Sequence, residues 1–459
     1  MSAPLAWRLP DPPAPSVVGT HDVLAGMPFL RPIGTHLDKP CIMQDIAQCA
    51  EYSQAQGGRR RWVGGDTSRL RARAGLAHRL AAARKRTGLR LIGLHEQRGE
   101  RRMTIKVVDF FSGCGGTSAG LRAAGMDIIL GLDTDADAAD TFAANFPEAD
   151  FIRHDIRTLE TEALAPYLLP HRGQPVLFSG CAPCQPFSQQ NRRRKTVDER
   201  VALLLQFGRF VERYRPEFVF VENVPPFRRE GAMADELPPF VAFLQLLRGR
   251  GYRVDHRVVD ARDYGVPQWR KRLVLVASLG SLSPFPSPTH GPDMSVGGYA
   301  TVWEWIGDLP PIAAGETHPS VPNHRAAGLS PLNLRRIGAT PAGGGRLDWP
   351  AELRLPCHLK GYTGHTDVYG RMHKDQPARG LTTRCISLSN GRFGHPTQDR
   401  AISVREAACL QTFPRDFVFR GGLDSVARQI GNAVPPLLAE RIGACFVADS
   451  GDDHPDGAC

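Results

Sequence analysis

The sequence predicts an α/β fold in which a doubly wound, mostly parallel sheet is joined by a second, smaller and loop-rich domain. Two observations lead to this prediction. Apolar, strand-like runs alternate with helix-like segments between residues 105 and 278. Between residues 279 and 375, proline, glycine and histidine become frequent and regular apolar spacing is lost.

The alternating region divides into individual elements by its apolar spacing. Strands are predicted at 105–111, 127–133, 175–180, 217–223, 252–260 and 272–278, and helices at 117–125, 136–146, 201–214 and 240–252. Each helix lies between two strands, as in βαβ units whose strands run parallel. Helix-like spacing of apolar residues returns at 403–413 and 434–448, which predicts a C-terminal helical segment.

Composition restricts the class of protein. The chain has 459 residues, of which 42% are hydrophobic, as in globular proteins. It contains no run of 18 apolar residues, and its N-terminus lacks the pattern of a secretory signal. The ten cysteines are scattered rather than arranged as a disulfide framework. A monomeric cytoplasmic protein without membrane contact is therefore expected.

The first 102 residues carry most of the net charge. They hold 17 lysines and arginines against eight acids, so nine of the ten net positive charges lie there. A basic extension suits a polyanionic partner, but it is also typical of a solvated, poorly ordered tail. A third interpretation is a misassigned start, because Met103 opens a strand-like phrase that resembles an ordinary N-terminus.

A glycine-rich turn follows the first predicted strand. Gly113, Gly115 and Gly116 allow the backbone to approach a ligand closely. Asp133 lies 20 residues after Gly113 at the end of the next strand, where a carboxylate can accept both hydroxyls of a ribose. Asp155 ends the strand after that and could meet an adenine amino group. A tight βα turn with surface acids remains an alternative.

A cysteine loop follows the strand at 175–180. Cys184 stands between two prolines at the carboxyl edge of the sheet, and Glu222 ends the next parallel strand, so both side chains are expected in one pocket. The Cys181–Cys184 pair also fits half of a zinc site, a redox pair or buried structural cysteine. No second CxxC or HxxxH partner exists, so no metal site is predicted.

The ordered motifs resemble those of the DNA cytosine-5 methyltransferases of bacterial restriction-modification systems. They are VVDFFSGCGG, GLD, HDI, APCQPFS, VENV, PQWRKR, GLTTR and GNAVPP, and they cover residues 105–278 and 376–446. The resemblance implies the Rossmann-like fold of methyltransferases that use S-adenosyl-L-methionine. It also implies transfer of a methyl group to carbon 5 of a cytosine flipped out of a specific duplex sequence.

The resemblance assigns catalytic roles to four positions. Cys184 looks like the nucleophile that adds to carbon 6 of cytosine, and Glu222 looks like the acid that contacts and protonates N3. Arg270 and Arg272 resemble the arginines that hold the flipped nucleotide and its phosphate, with Arg270 nearer the base.

It also assigns a set of positions to the cofactor. Phe111 resembles the ring that stacks on the adenine, and Asn432 a residue that supports the pocket where the C-terminal segment packs back. Leu203 and Thr382 resemble positions that organise the cofactor pocket and the recognition module. With these go the residues of the turn and the strand ends: Gly113, Gly115, Gly116, Asp133 and Asp155.

Four segments are expected, of which the first lies outside the resemblance. These are a basic extension (1–102), a catalytic and cofactor-binding domain (103–278), a target-recognition domain (279–400) and a C-terminal segment that returns to the catalytic domain (401–450). Double-stranded DNA is the expected partner, with a cognate restriction endonuclease acting separately. The alternatives are a tRNA cytosine-5 methyltransferase, a silent DNA-binding protein and a Rossmann oxidoreductase. The oxidoreductase is disfavoured because the turn has the spacing GxGGxxxG, whereas dinucleotide-binding turns have GxGxxG.

Overall fold

The computed structural model describes residues 104–182, 203–225, 238–281, 285–294, 297–356, 364 and 366–449. These residues belong to one compact unit. The predicted basic extension, Met103 and Cys184 lie outside the described residues, as does the arginine-rich run at 191–195. Among the described residues, no helix is long and apolar enough to cross a membrane.

Seven strands form the central sheet in the order β3-β2-β1-β4-β5-β8-β6. The strands of the described residues are β1 (Lys106–Phe110), β2 (Asp127–Asp133), β3 (Asp150–Arg153), β4 (Val176–Gly180), β5 (Phe218–Asn223), β6 (Arg253–Asp260), β7 (Gln268–Trp269), β8 (Lys271–Ser278) and β9 (Ala378–Arg379). The first five strands pair in parallel, whereas β8 runs antiparallel between β5 and β6. The predicted doubly wound, mostly parallel sheet is confirmed.

Helices cover both faces of this sheet. Those of the described residues are α1 (Gly116–Ala123), α2 (Ala136–Asn145), α3 (Ala165–Leu168), α4 (Leu203–Tyr214), α5 (Pro239–Gly249), α6 (Val302–Ile306), α7 (Pro331–Gly338), α8 (Val404–Leu410), α9 (Leu423–Asn432) and α10 (Pro436–Asp449). Helix α9 was not predicted from the sequence. The small pair β7 and β9 joins the sheet region to residues beyond 375.

Successive residues of β1 face opposite sides of the sheet, which divides the core into two clusters. Val107 packs in a cluster that includes Phe142 of α2 and Leu438 of α10. Val108 packs in the other cluster, with Phe207 of α4. Because both faces of the strand are covered, its apolar run is continuous rather than alternating.

The last helix packs closely on the first. A Cβ atom at Gly120 of α1 would lie 2.2 Å from the backbone oxygen of Pro436, where α10 begins. Only glycine permits this separation, so the two helices approach each other backbone to backbone. The glycine-rich turn that precedes α1 is therefore held from the C-terminal side of the chain.

The described residues between 285 and 375 contain few regular elements, as their composition predicts. Phe285, Val302 and Ile306 nevertheless pack in the same buried cluster as the Val107 face of the sheet. A small cluster of Ile337, Leu388 and Ala401 lies apart from it. The loop-rich region thus shares a core with the sheet, and its proposed boundaries at 279 and 400 stay predictions.

Candidate active site

The glycine-rich turn is fixed by the strand beside it. Gly113 has a φ of +51°, and its amide donates to Oδ2 of Asp133 over 2.9 Å. Phe111, at a φ of +56°, is a non-glycine residue in the left-handed region. The ends of β1 and β2 are thereby tied together at the carboxyl edge of the sheet, where open α/β sheets bind ligands.

The three glycines of the turn have different neighbours. A Cβ atom at Gly115 would lie 2.4 Å from the ring of Phe146, and one at Gly116 would lie 2.6 Å from the backbone oxygen of Val434. Both glycines are thus required by packing within the protein. Nothing lies within 4 Å of a Cβ built on Gly113, which leaves this residue beside open space for a ligand.

The two acids predicted to contact a nucleoside already have protein partners. The carboxylate of Asp133 also accepts the amides of Thr134 and Asp135, over 2.7 and 3.0 Å. Asp155 forms an ion pair of 2.6 Å with Arg157, whose hydrogen bonds hold the pKa of Asp155 below its usual range. Both acids lie at the carboxyl edge of the sheet, and their roles toward ribose and adenine stay predictions.

Glu222 and Arg272 meet near the carboxyl end of β5, where this strand pairs with the start of β8. Glu222 on β5 is 7% exposed, and its Oε1 lies 2.9 Å from Nε of Arg272 on the neighbouring strand β8. The antiparallel register, with Glu222 opposite Val274, brings the two side chains together. A buried carboxyl paired with a guanidinium can hold a polar ring in a fixed orientation.

The chain that leads to Cys184 starts beside this pair. Strand β4 runs parallel to β5, and the side-chain amide of Asn223 donates to the backbone oxygen of Ala182 over 3.3 Å. The loop that carries the predicted nucleophile therefore leaves the sheet next to Glu222. The position of the Cys184 side chain lies outside the described residues.

Cys181, the first cysteine of the CxxC pair, lies in a polar but buried setting. Its sulfur is 3.8 Å from the hydroxyls of both Thr117 and Ser179. Burial raises the pKa of the Cys181 thiol, and the carboxylate of Glu222 adds to this rise. Such a thiol stays protonated, so it is a poor nucleophile or metal ligand. Among the described residues, no group of three or more potential metal ligands occurs.

Arg270 has partners that the sequence analysis did not anticipate. It is 4% exposed, and its guanidinium donates to the backbone oxygens of Leu381 (3.2 Å), Gly431 (3.3 Å) and Ala433 (2.9 Å). These described acceptors all belong to the protein backbone, and the contact of Arg270 with the base stays a prediction. Arg272, rather than Arg270, contacts Glu222.

Comparison with known proteins identifies the family. Residues 105–447 match the model of the C-5 cytosine-specific DNA methylases. The chain belongs to this family. It is a DNA cytosine-5 methyltransferase, as the ordered motifs predicted.

The relatives of this methylase include enzymes named as type II methylases. It is 40% identical over 347 residues to the type II methylase M.HgiDII of Herpetosiphon aurantiacus, which covers 74% of this chain and 94% of the relative. It is 35% identical to the type II methyltransferase M1.HphI of Haemophilus parahaemolyticus, covering 74% and 86%.

Solved structures share the fold of this methylase. A crystal structure described as a DNA modification methyltransferase encoded within an Escherichia coli prophage superposes with a TM-score of 0.53, at 25% identity, over 75% of this chain and 98% of that one. A mutant of Spodoptera frugiperda DNMT2 superposes with a TM-score of 0.50 at 16% identity, covering 75% and 100%, which shows the fold alone.

Two further predicted cofactor residues of the methylase lie on different sides of the sheet edge. Leu203 is buried where the described part of α4 begins, in the same cluster as Phe110. Asn432 ends α9 and is exposed, directly before the residues that pack on Gly116. These placements agree with a pocket around the turn, while the individual roles stay predictions.

One buried acid of the methylase was missed. Asp109 on β1 is fully buried, and the hydroxyl of Ser118 on α1 donates to its Oδ2 over 2.7 Å. Burial raises the pKa of Asp109 to about 6, against the lowering effect of hydrogen bonds from Ser118 and Ser179. A charged residue inside an apolar strand run was the available signal, because such a residue needs a partner when buried.

Proposed function

We propose that this methylase takes the methyl group from S-adenosyl-L-methionine and places it on carbon 5 of a cytosine flipped out of a specific sequence in double-stranded DNA. The pairing of Glu222 with Arg272 beside the start of the Cys184 loop supports this most directly. A target inside the duplex is out of reach of such a recessed pair, so extrusion of the base is required.

The turn after β1 fits the proposed cofactor. Gly113 leaves open space, Phe111 offers a partly exposed ring, and Asp133 lies at the adjoining strand end. Phe111 would stack on the adenine and Asp133 would accept from the ribose hydroxyls, with Asp155, Leu203 and Asn432 bordering the pocket. When bound, the cofactor supplies an electrophilic methyl group on a sulfonium.

The side chains divide the chemical work. Cys184, as the thiolate, forms a bond from sulfur to carbon 6, while Glu222 delivers a proton to N3 and so neutralises the developing charge. Carbon 5 then carries the electron pair that takes the methyl group. A base removes the proton from carbon 5, the electrons of that bond expel the sulfur of Cys184 as the thiolate, and N3 returns its proton to Glu222. Arg272 holds Glu222 and the pyrimidine ring in register throughout.

Bisulfite sequencing of DNA from cells that express the chain tests this proposal and reads out the target sequence. Cys184→Ala should abolish methylation. Cys181→Ala is the matched control from the same CxxC pair, and it should keep the methylated sequence unchanged, because this thiol is buried and protonated.

Equal loss in both cysteine variants would instead favour a redox or metal-binding pair. Methyl incorporation into tRNA but not into plasmid DNA would overturn the DNA substrate. We also infer from the type II relatives that the methylase acts in a restriction-modification system, and its monomeric state and cytoplasmic location stay predictions. Resistance of its methylated DNA to an endonuclease from the same source tests the restriction-modification role.

A further inference from the structure

Three distant segments of the chain meet at Arg270. Its guanidinium joins Leu381, on the recognition side, to Gly431 and Ala433, at the end of α9. The backbone amide of Arg270 in turn donates to the side chain of Asp260 over 3.2 Å. Arg270 is therefore anchored to β6 while its side chain spans two loops.

Two buried glutamines strengthen the same connection. Gln268 accepts the amide of Leu381 over 3.1 Å and donates to the side chain of Gln411 over 2.5 Å. Gln411 donates to the backbone oxygen of Ala433 over 2.5 Å. We call this set of contacts the Arg270 junction. It joins the side chains of Gln268, Arg270 and Gln411 to Leu381 and to the backbone of Gly431 and Ala433.

The junction continues into the cofactor turn by close backbone packing. A Cβ atom at Gly431 would lie 2.2 Å from the backbone oxygen of Thr382, and one at Gly116 would lie 2.6 Å from that of Val434. Residues 431–434 form a turn that makes both of these close approaches. Glycine is required at each of them, at Gly431 and at Gly116. A displacement of this turn would therefore move the start of α1, where Gly116 lies.

We propose that Arg270 is a positioning residue that holds the turn 431–434 against the glycine-rich turn, so that affinity for the cofactor depends on it. This inference rests on the proposed use of S-adenosyl-L-methionine. A guanidinium presents five donors in a rigid plane and can bridge three carbonyls, whereas an ammonium cannot hold the same geometry. The role differs from a grip on the flipped base, because the acceptors are the carbonyls of the methylase itself.

The short segment from Arg270 to Arg272, at the start of β8, contacts both the cofactor side and the base side of the proposed site. Arg270 and Arg272 are two residues apart, yet the first contacts the turn beside the cofactor and the second contacts Glu222. The polypeptide between them, at Lys271, carries the start of β8. The junction thus fixes the distance between the cofactor turn and the base-binding acid.

The test is binding of S-adenosylhomocysteine to the purified full chain without DNA, measured by calorimetry. Arg270→Lys and Gln411→Met should each raise the Kd about tenfold. Arg272→Lys is the matched control, which should keep the Kd while methyl transfer falls.

Each outcome decides a separate question. If the unmodified chain binds no S-adenosylhomocysteine, the proposed function fails. If it binds but both junction variants keep a Kd within twofold, the positioning role is wrong. A slower transfer at unchanged Kd in Arg270→Lys would return Arg270 to the flipped base. Should Arg270→Lys lose its circular dichroism spectrum, Gln411→Met, which retains the arginine, decides the matter.

Discussion

The sheet region (104–278) and the loop-rich region (285–403) bury different kinds of side chain. In the sheet region, Phe110 packs against Phe178, Phe207 and Phe210 with ring centroids 5.1–5.2 Å apart. In the loop-rich region, arginines occupy comparable places: Arg346, Arg371 and Arg400 are each at most 5% exposed. These three guanidinium groups are as buried as the aromatic rings of the sheet region, although the loop-rich region also buries rings such as that of Trp349.

The reason is the supply of backbone hydrogen bonds. Strand ladders satisfy the carbonyls of the sheet, so its side chains are free to be apolar. The loop-rich region has few ladders, and Arg371 donates to the carbonyls of Ile337, Thr340, His395 and Gln398 over 2.5–2.9 Å. A region without regular structure therefore uses buried arginine where a sheet uses its own backbone.

Loss of one such arginine should be the largest effect. Arg371→Met removes four hydrogen bonds to carbonyls, although those of Ile337 and Gln398 keep a backbone donor, and it leaves the exposed Asp399 without its ion-pair partner. We expect the free energy of unfolding, from urea titration, to fall by about 3–5 kcal/mol. Phe178→Leu in the sheet region, the control for burial, should cost about 1–2 kcal/mol. Equal losses would mean that Arg371 acts through volume rather than hydrogen bonding.

One buried residue in each region should respond to pH, and the two responses have opposite signs. Burial lowers the pKa of His395 to about 4 in the folded protein, whereas a histidine in the unfolded chain has a pKa of about 6.5. Between these two pH values the unfolded chain binds a proton that the folded chain does not bind. Stability from this residue is lost as the pH falls from about 6.5 to 4. Burial raises the pKa of Asp109 to about 6, so here stability is lost as the pH rises from about 4 to 6.

His395→Gln and Asp109→Asn separate these contributions. Between pH 4.5 and 7.5, the unfolding free energy of each variant relative to the unmodified chain should change by about 2–3 kcal/mol. The His395 variant gains at low pH and the Asp109 variant gains at high pH. If the unfolding free energies of a variant and of the unmodified chain differed by the same amount at every pH, the replaced residue would have the same pKa in the folded and unfolded chain.

Helix caps should give the smallest effect and no regional difference. Ser330 accepts the amide of Asn333 at the start of α7, and Asp135 accepts that of Ala138 at the start of α2. Alanine at either cap should cost about 1 kcal/mol, because capping is local. Asp135→Asn, which keeps the cap, is the control for charge. A cost several times larger in the loop-rich region would contradict this equality.

The sequence predicted the sheet region closely and the rest coarsely. The strand at 127–133 has its predicted bounds, and those of β1, β4, β5 and β8 lie within a residue or two, because buried strands are continuous apolar runs. The antiparallel direction of β8 was not foreseen, since an apolar run looks the same in both directions. Helix α9 was missed because its buried face includes Ser425 and Gln429, which do not read as core.

The candidate active site was likewise predicted only in part from the sequence. A common site for Glu222 and Arg272 was predicted, whereas the antiparallel pairing of β5 with β8 that joins them was not. The partners of Arg270 were not, because Leu381 and Ala433 lie 111 and 163 residues further along the chain. Backbone carbonyls leave no trace in the amino-acid sequence, so a role that consists of binding them is seen only in three dimensions.

The close approach of α1 and α10 has a consequence for synthesis of the methylase. Cys114, in the glycine-rich turn, donates to the backbone oxygen of Gln429, 315 residues later. At ordinary rates of translation those residues take roughly 15–60 seconds to emerge from the ribosome. For that interval the nascent sheet lacks the helix that seals its first turn, and its apolar face is open to chaperones and proteases alike. The proposed competence to bind a nucleoside thus arises only after residue 429 has been made, although the residues predicted to contact the nucleoside are made early.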